Sequence, residues 1–310
     1  MSDFTIHKAT RTGVKPLIGI YGESGTGKTY SALLLARGLA GPKGKIVFID
    51  TESGRGSLYA DVLEGGYEVI DLCEPFSPAR YAAAITAAEQ SGAAIIIVDS
   101  MSHEWEGPGG VLDLAGEIEQ RTGKPGLHCW KTPKLEHAKL VSKLIRSSVP
   151  IVACIRAKFK SRQAKDQNGK THIVKDDHTS PIQSEEFIYE ATLHGEVMPD
   201  HSFHITKSNH PALLACFAQD KPITIKTGEA VAGWCNGGAT AAPVADTAAD
   251  VKALKKRLWQ TTSTHHGAGD EGKKQLQNWL IDKGLLDPNA ETLESLTSAR
   301  LTAIIANLEA

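Results

Sequence analysis

The sequence predicts an α/β protein: a mostly parallel sheet flanked by helices, followed by a small all-α C-terminal domain. Three observations carry that expectation. Apolar runs rich in isoleucine and valine recur at 16–21, 45–50, 93–99 and 150–155, each short and continuously apolar as strands buried on both faces are. Segments with helical spacing lie between them, at 31–40, 77–91, 111–121 and 133–148, the alternation that builds parallel βαβ units. Beyond a Pro/Gly/Ala-rich stretch at 237–250 the pattern turns into three amphipathic stretches, about 251–262, 270–283 and 292–308.

At 310 residues, with 41% hydrophobic and 23% charged residues, the chain has room for one large domain and a smaller one. A net charge of −2 leaves any affinity for nucleic acid or membrane to local patches. No apolar run has bilayer-spanning length and no signal pattern opens the chain, so a cytoplasmic protein without membrane contact is expected. Cys73, Cys129, Cys154, Cys216 and Cys235 form no C-x-x-C pair and read as reduced thiols.

Residues 1–15 are polar and mildly basic and read as a solvated lead-in. The first strand runs into Gly22-Glu23-Ser24-Gly25-Thr26-Gly27-Lys28-Thr29, which is G-x-x-x-x-G-K-[ST] between a strand and a helix. Glycines there allow close backbone approach, and the amides with the positive end of the following helix can wrap a polyphosphate. Gly22 to Thr29, with Tyr30 on the helix, are therefore candidate ATP contacts. Lys28 would reach the β- and γ-phosphates, and the Thr29 hydroxyl would hold Mg²⁺.

The second strand, 45–50, ends in Asp50-Thr51-Glu52 before the pliant Ser53-Gly54-Arg55-Gly56-Ser57. Ligands of parallel sheets sit at carboxyl strand ends, so Glu52 is a candidate for activating the water that attacks a γ-phosphate. A short strand at 67–72 precedes a helix that Ser77 caps, Pro78 opens and Gly92 closes. The strand at 93–99 ends in Asp99, a second candidate Mg²⁺ carboxylate. Glu104, in His103-Glu104-Trp105-Glu106, is the rival water-activating acid, and Trp105 reads as a packing residue.

Gly107-Pro-Gly-Gly110 breaks the chain before helices at 111–121 and 133–148, the second with a solvated basic face. Behind the strand at 150–155 come seven basic residues in twenty, opposed by Asp166. Arg156 and Lys158 fall at the strand end, where they can sense γ-phosphate charge. Lys158, Lys160, Arg162, Lys165 and Lys170 form the best candidate nucleic-acid patch, on a basic loop or hairpin. Alternating residues at 187–194 and 201–207 predict a hairpin, and 222–226 a last small strand.

The set Gly22–Thr29, Phe48-Ile-Asp-Thr-Glu52 and Val98-Asp99-Ser100 resembles the RecA-like branch of P-loop ATPases. That resemblance implies a RecA-like core over 16–236, with Glu52 as the hydrolytic acid. Ile205-Thr-Lys207-Ser-Asn209 resembles the late strand whose lysine reaches a neighbour's nucleotide, which would make Lys207 a trans-acting catalytic residue. His103-Glu-Trp-Glu106 and Cys154-Ile-Arg-Ala-Lys158 further resemble phage-encoded RecA-like ATPases of the AAA type, including the Sak group of single-strand annealing recombinases.

The resemblance implies an ATP- and Mg²⁺-dependent protein that self-associates into a ring or filament with nucleotide between subunits. It implies binding of single-stranded DNA, in annealing or recombination, and residence in the host cytoplasm. The expected division is a lead-in at 1–15, the ATPase core at 16–236, a linker at 237–250 and a helical domain at 251–310. The alternative is a nucleotide-gated adaptor or scaffold that recruits a protein partner through its C-terminal helices.

Overall fold

The apolar runs become strands of one eight-stranded sheet. The computed structural model describes residues 11–165, 171–237, 248–262, 267, 269–286, 293, 301 and 304. Its elements are β1 (Leu17–Gly22), α1 (Lys28–Ala40), β2 (Ile46–Asp50), β3 (Glu68–Asp71), α2 (Pro78–Gln90), β4 (Ile95–Asp99) and α3 (Ser102–Glu106). They continue with α4 (Val111–Thr122), α5 (Lys131–Ile145), β5 (Ile151–Lys165), β6 (Thr171–Pro181), α6 (Glu185–Glu190), β7 (Leu193–Val197) and β8 (Phe203–Ser208). Then follow α7 (Pro211–Leu214), α8 (Ile225–Cys235), α9 (Ala248–Thr261) and α10 (Gly269–Asp282).

The strand order is β3-β2-β4-β5-β1-β7-β8, with β6 paired to β5 alone. Every pair from β3 to β7 is parallel, while β8 returns antiparallel on β7 and β6 antiparallel on β5. This is the α/β architecture the sequence predicts, a mostly parallel sheet flanked by helices.

Alternation along the strands divides the core into two layers. Ile18, Ile20, Ile95, Ile97 and Val152 face α1 and α8, meeting Leu33, Ala36 and Val231. Leu17, Ile96, Val98, Ile151 and Ala153 face the other way, onto Tyr81 and Ile85 of α2, Leu140 and Leu144 of α5 and Phe187 of α6. In the first layer α1 and α8 meet backbone to backbone. A Cβ on Gly38 would stand 2.1 Å from the Ile225 carbonyl oxygen, and one on Gly228 2.2 Å from that of Leu35. No side chain larger than hydrogen fits either place.

Several expectations change. Residues 187–190 are helical, not the start of a strand. The Ser184 hydroxyl accepts from the Phe187 amide, and Glu185 and Glu186 sit in the first turn, where acids suit the helix dipole. Residues 222–226 form no strand. Thr224 and Thr227 make a reciprocal capping box that starts α8 at Ile225. Residues 11–15 are no solvated tail: Thr12 bridges Asn236, the Val14 amide donates to the Cys235 carbonyl, and the Arg11 guanidinium lies over the Trp234 ring.

Helix α9 begins at Ala248, inside the stretch expected as linker, and 238–247 fall outside the described residues. So does most of the third helix expected at 292–308, though Leu301 and Ile304 are buried. The chain divides into two compact units, 1–240 and 241–310. The second has its own apolar core of Leu258, Leu276, Leu280, Leu286, Leu301 and Ile304. Among the described residues no helix is long and apolar enough to cross a membrane.

Candidate active site

Sheet register assembles the site. Gly22 of β1 pairs with Arg156 of β5, Asp99 of β4 with Cys154 of β5, and Asp50 of β2 with Asp99. The two carboxylates thus share a row with Cys154 and Ile20, and the phosphate-loop entrance and the basic strand end stand two residues further on, all at the carboxyl edge of the sheet, where such folds bind ligands. A cleft of about 470 Å³ opens there, within the range of small-molecule sites. Ser24, Gly25, Gly27, Lys28 and Thr29 line one side, Asp50, Glu52, Arg55 and Arg156 another, with Phe48, Leu58, Tyr59 and Ile182 as an apolar edge.

Gly25 and Gly27 adopt φ of +86° and +93°, left-handed conformations that side chains disfavour. They turn the loop into α1, whose first residue is Lys28, so the 13-residue helix points its positive end at the cleft. The Lys28 ammonium donates to the Glu23 carbonyl at 2.6 Å. Burial pushes its pKa down, with Cys154, Asp99 and Glu52 pulling against that and Arg156 adding to it. Ser24 and Gly25 are exposed, Thr26 is buried, and Tyr30 is exposed on α1 without lining the cleft.

The Thr29 hydroxyl donates to Asp99 Oδ2 at 2.6 Å. Burial pushes the Asp99 carboxyl up to about 6, the Thr29 hydrogen bond opposing it. A buried carboxylate beside a hydroxyl calls for a cation, and an all-oxygen pair of this kind suits Mg²⁺ brought in with phosphates. Among the described residues no cluster of three His, Cys, Asp or Glu forms a protein-only metal cage.

Glu52 and Glu104 part company. Glu52 lines the cleft. Arg156 donates to its Oε1 from Nε at 2.8 Å and from Nη2 at 2.6 Å, while Arg55 Nη1 reaches Oε2 at 2.8 Å. Glu104 is fully buried away from the cleft lining. Its Oε1 meets His137 Nδ1 at 2.9 Å and its Oε2 accepts from Gln183. His137 Nε2 in turn meets Ser184 Oγ at 2.6 Å. Glu104 therefore ties α3 to α5 and α6, and the geometry withholds it from the γ-phosphate position. Trp105 packs edge-on against the same His137.

Lys158 pairs with Glu106 at 2.9 Å at the cleft rim. Lys160, Arg162 and Lys165 lie on the backbone of β5, in the antiparallel ribbon with β6, and Lys170 falls outside the described residues. Lys207 points at its own chain, donating to the Tyr189 and Ala191 carbonyls at the end of α6, and does not line this cleft.

Three contributors escaped the reading of the sequence. Asp50 accepts the Glu52 amide at 2.6 Å and the Gly56 amide at 2.8 Å, folding residues 51–56 into a fixed turn. Arg55 has only its place three residues beyond Glu52 as a signal. His201, from the β7–β8 turn, sets Nδ1 2.9 Å from the Thr26 carbonyl oxygen, and nothing local marks it.

Compared with known proteins, residues 15–207 match the family described as an AAA domain. The chain belongs to that AAA domain family. The match spans the phosphate loop, Glu52, Asp99, the basic ribbon and Lys207, and at family level the chain is a P-loop ATPase. Among solved structures, a KaiC-like protein from the hyperthermophilic archaeon Pyrococcus horikoshii OT3 is similar. It is 14% identical, with a TM-score of 0.37, over 66% of this chain and 90% of that one. No curated protein matches the chain.

Proposed function

We propose that this AAA protein hydrolyses ATP, binds single-stranded DNA and promotes annealing or homologous recombination, as a phage-encoded RecA-like protein acting in the host cytoplasm. The observation that carries the proposal is β5. One strand sets Arg156 at the nucleotide cleft and runs on, through a register shift between Phe159 and Ser161, into the ribbon that holds Lys160, Arg162 and Lys165. A polyanion along that ribbon and a γ-phosphate in the cleft would pull on the same strand. Annealing and phage origin rest on the resemblance of the His103–Glu106 and Cys154–Lys158 stretches. Lys207 serves a neighbour's nucleotide in the same reading, with subunits in a ring or filament.

The chemistry follows from the side chains. Glu52 accepts a proton from water as the water oxygen bonds to the γ-phosphorus. The bond from that phosphorus to the β–γ bridging oxygen breaks, leaving ADP and phosphate. Lys28 and Arg156 hold the charge that spreads over the phosphoryl oxygens. Mg²⁺ bound with the nucleotide would be held by the Thr29 hydroxyl and Asp99, and would supply further neutralisation of phosphate charge.

The test is ATP hydrolysis with and without single-stranded DNA at low salt, with Lys28→Ala as the blank. Stimulation of several-fold is expected, absent from the blank and falling steeply between about 50 and 200 mM salt. Hydrolysis indifferent to DNA would overturn the recombination reading and leave a nucleotide-gated adaptor whose helical unit takes a protein partner.

A further inference from the structure

The candidate base is held on both of its oxygens. Both oxygens of Glu52 carry guanidinium hydrogen bonds, two from Arg156 and one from Arg55, and the side chain is only 12% exposed. In that state each oxygen already spends a lone pair on a guanidinium, so an attacking water has to compete with an arginine for the base. The rest of the site is closed on itself in the same way, with Lys28 on Glu23 and Thr29 on Asp99. Nucleotide and Mg²⁺ would replace those two contacts directly. Glu52 needs its arginines to leave.

The two arginines are not equivalent. Arg156 stands in register with Gly22 at the phosphate-loop entrance, so a γ-phosphate competes with Glu52 for it. Arg55 has no such place in the sheet. It sits on the turn that Asp50 clasps at both ends, through the Glu52 and Gly56 amides, and Tyr67 donates to the Gly56 carbonyl. That scaffold aims the Arg55 guanidinium at Oε2, on the rim between the nucleotide cleft and an adjoining groove lined by Thr51, Phe76 and His103. When a γ-phosphate draws Arg156 away, Arg55 is what remains on the base.

We infer that Arg55 is a positioning residue that brakes hydrolysis by holding Glu52 out of the reaction. The inference rests on Glu52 being the water-activating acid. The contact joins a largely buried Glu52 to an Arg55 that is 65% exposed, so the brake is soft and salt-sensitive. Turnover without DNA is limited by how often Arg55 lets go.

The experiment uses the full-length protein without DNA at saturating ATP, comparing wild type with Arg55→Ala, Arg55→Lys and Glu52→Gln. A fluorescent non-hydrolysable ATP analogue reports binding. Arg55→Ala is expected to raise kcat about two- to five-fold with analogue affinity unchanged, and Arg55→Lys to fall between. Raising salt from about 50 to 300 mM should speed wild type towards Arg55→Ala while leaving the variant's own rate flat. If Glu52→Gln is inactive and Arg55→Ala is no faster than wild type, the brake is overturned and the base assignment stands. A slower Arg55→Ala with intact binding also overturns it and makes Arg55 a stabiliser of transferring charge. If Glu52→Gln turns over normally, the base assignment fails and the brake with it.

Discussion

His194 on β7 shows how one buried side chain ties this fold to pH. It is 2% exposed, its ring stacks on Tyr21 at a centroid distance of 4.7 Å, and its Nδ1 lies 3.2 Å from Thr206 Oγ1. The Thr206 hydroxyl donates to the His194 carbonyl, so Nδ1 carries the proton, and Nε2 is a buried acceptor that meets no partner among the described residues. Burial pushes its pKa from 6.5 down to about 4, and Lys207 pushes the same way. A depressed histidine favours folding above pH 6.5, and that contribution drains away as pH falls towards 4. By pH 4.5 the loss is about 2.5 kcal/mol at 1.36 kcal/mol per unit. Urea unfolding of wild type and His194→Gln across pH 8 to 4.5 should show that extra loss in wild type alone; parallel curves would refute it. The residues legible beforehand were those whose chemistry is written locally. Gly25, Gly27, Lys28 and Thr29 follow from one motif, and Asp99 from an apolar run that ends in an acid. Strand-end position and the RecA-like resemblance favour Glu52, with Glu104 kept as its rival. What separates them is burial and partners that lie far along the chain, His137 and Gln183 for one and Arg156 for the other.

The β7–β8 hairpin acts as an element on the phosphate loop. Its turn places His201 at φ +68°, an uncommon conformation for a side chain, and from there Nδ1 meets the Thr26 carbonyl. A Cβ on Gly22 would come 2.6 Å from the Val197 carbonyl oxygen, so β7 supports the loop from below as well. The hairpin therefore fixes the loop before nucleotide arrives, and His201→Ala should weaken nucleotide affinity about three- to ten-fold, roughly the worth of one hydrogen bond. The rate at saturation should hold. Titration with a fluorescent nucleotide checks this, and unchanged affinity would remove the hairpin from the site. The sequence marked this hairpin by its alternation but misjudged its first strand. Residues 187–190 alternate as a strand would, yet Ser184 and two glutamates start a helical turn there. Likewise the apolar–polar alternation of 222–226 lost to the capping box at Thr224. In both places a side-chain hydrogen bond to one backbone amide outweighed a pattern only four or five residues long. The core strands had no such competitor, because β1, β2 and β4 are continuously apolar and buried throughout.

At the scale of the whole chain, every described residue that lines the nucleotide cleft belongs to the unit that ends at residue 240, and the helical unit that follows has a core of its own. Two separate cores predict two separable folding units. A chain ending at residue 240 should then keep nucleotide affinity and DNA-independent turnover within about two-fold of full length. Turnover in the presence of single-stranded DNA distinguishes the roles left for α9 and α10. Helix α9 carries Lys252, Lys255, Lys256 and Arg257, while the unit as a whole mixes acids and bases. If the helical unit feeds strand to the β5–β6 ribbon, its removal lowers DNA stimulation and flattens the salt dependence by the phosphates it no longer contacts. If it serves a protein partner, stimulation and salt slope are unchanged, because the ribbon and Arg156 remain on one strand. Loss of basal hydrolysis on truncation would contradict the separation itself, since among the described residues none that lines the cleft lies beyond 240.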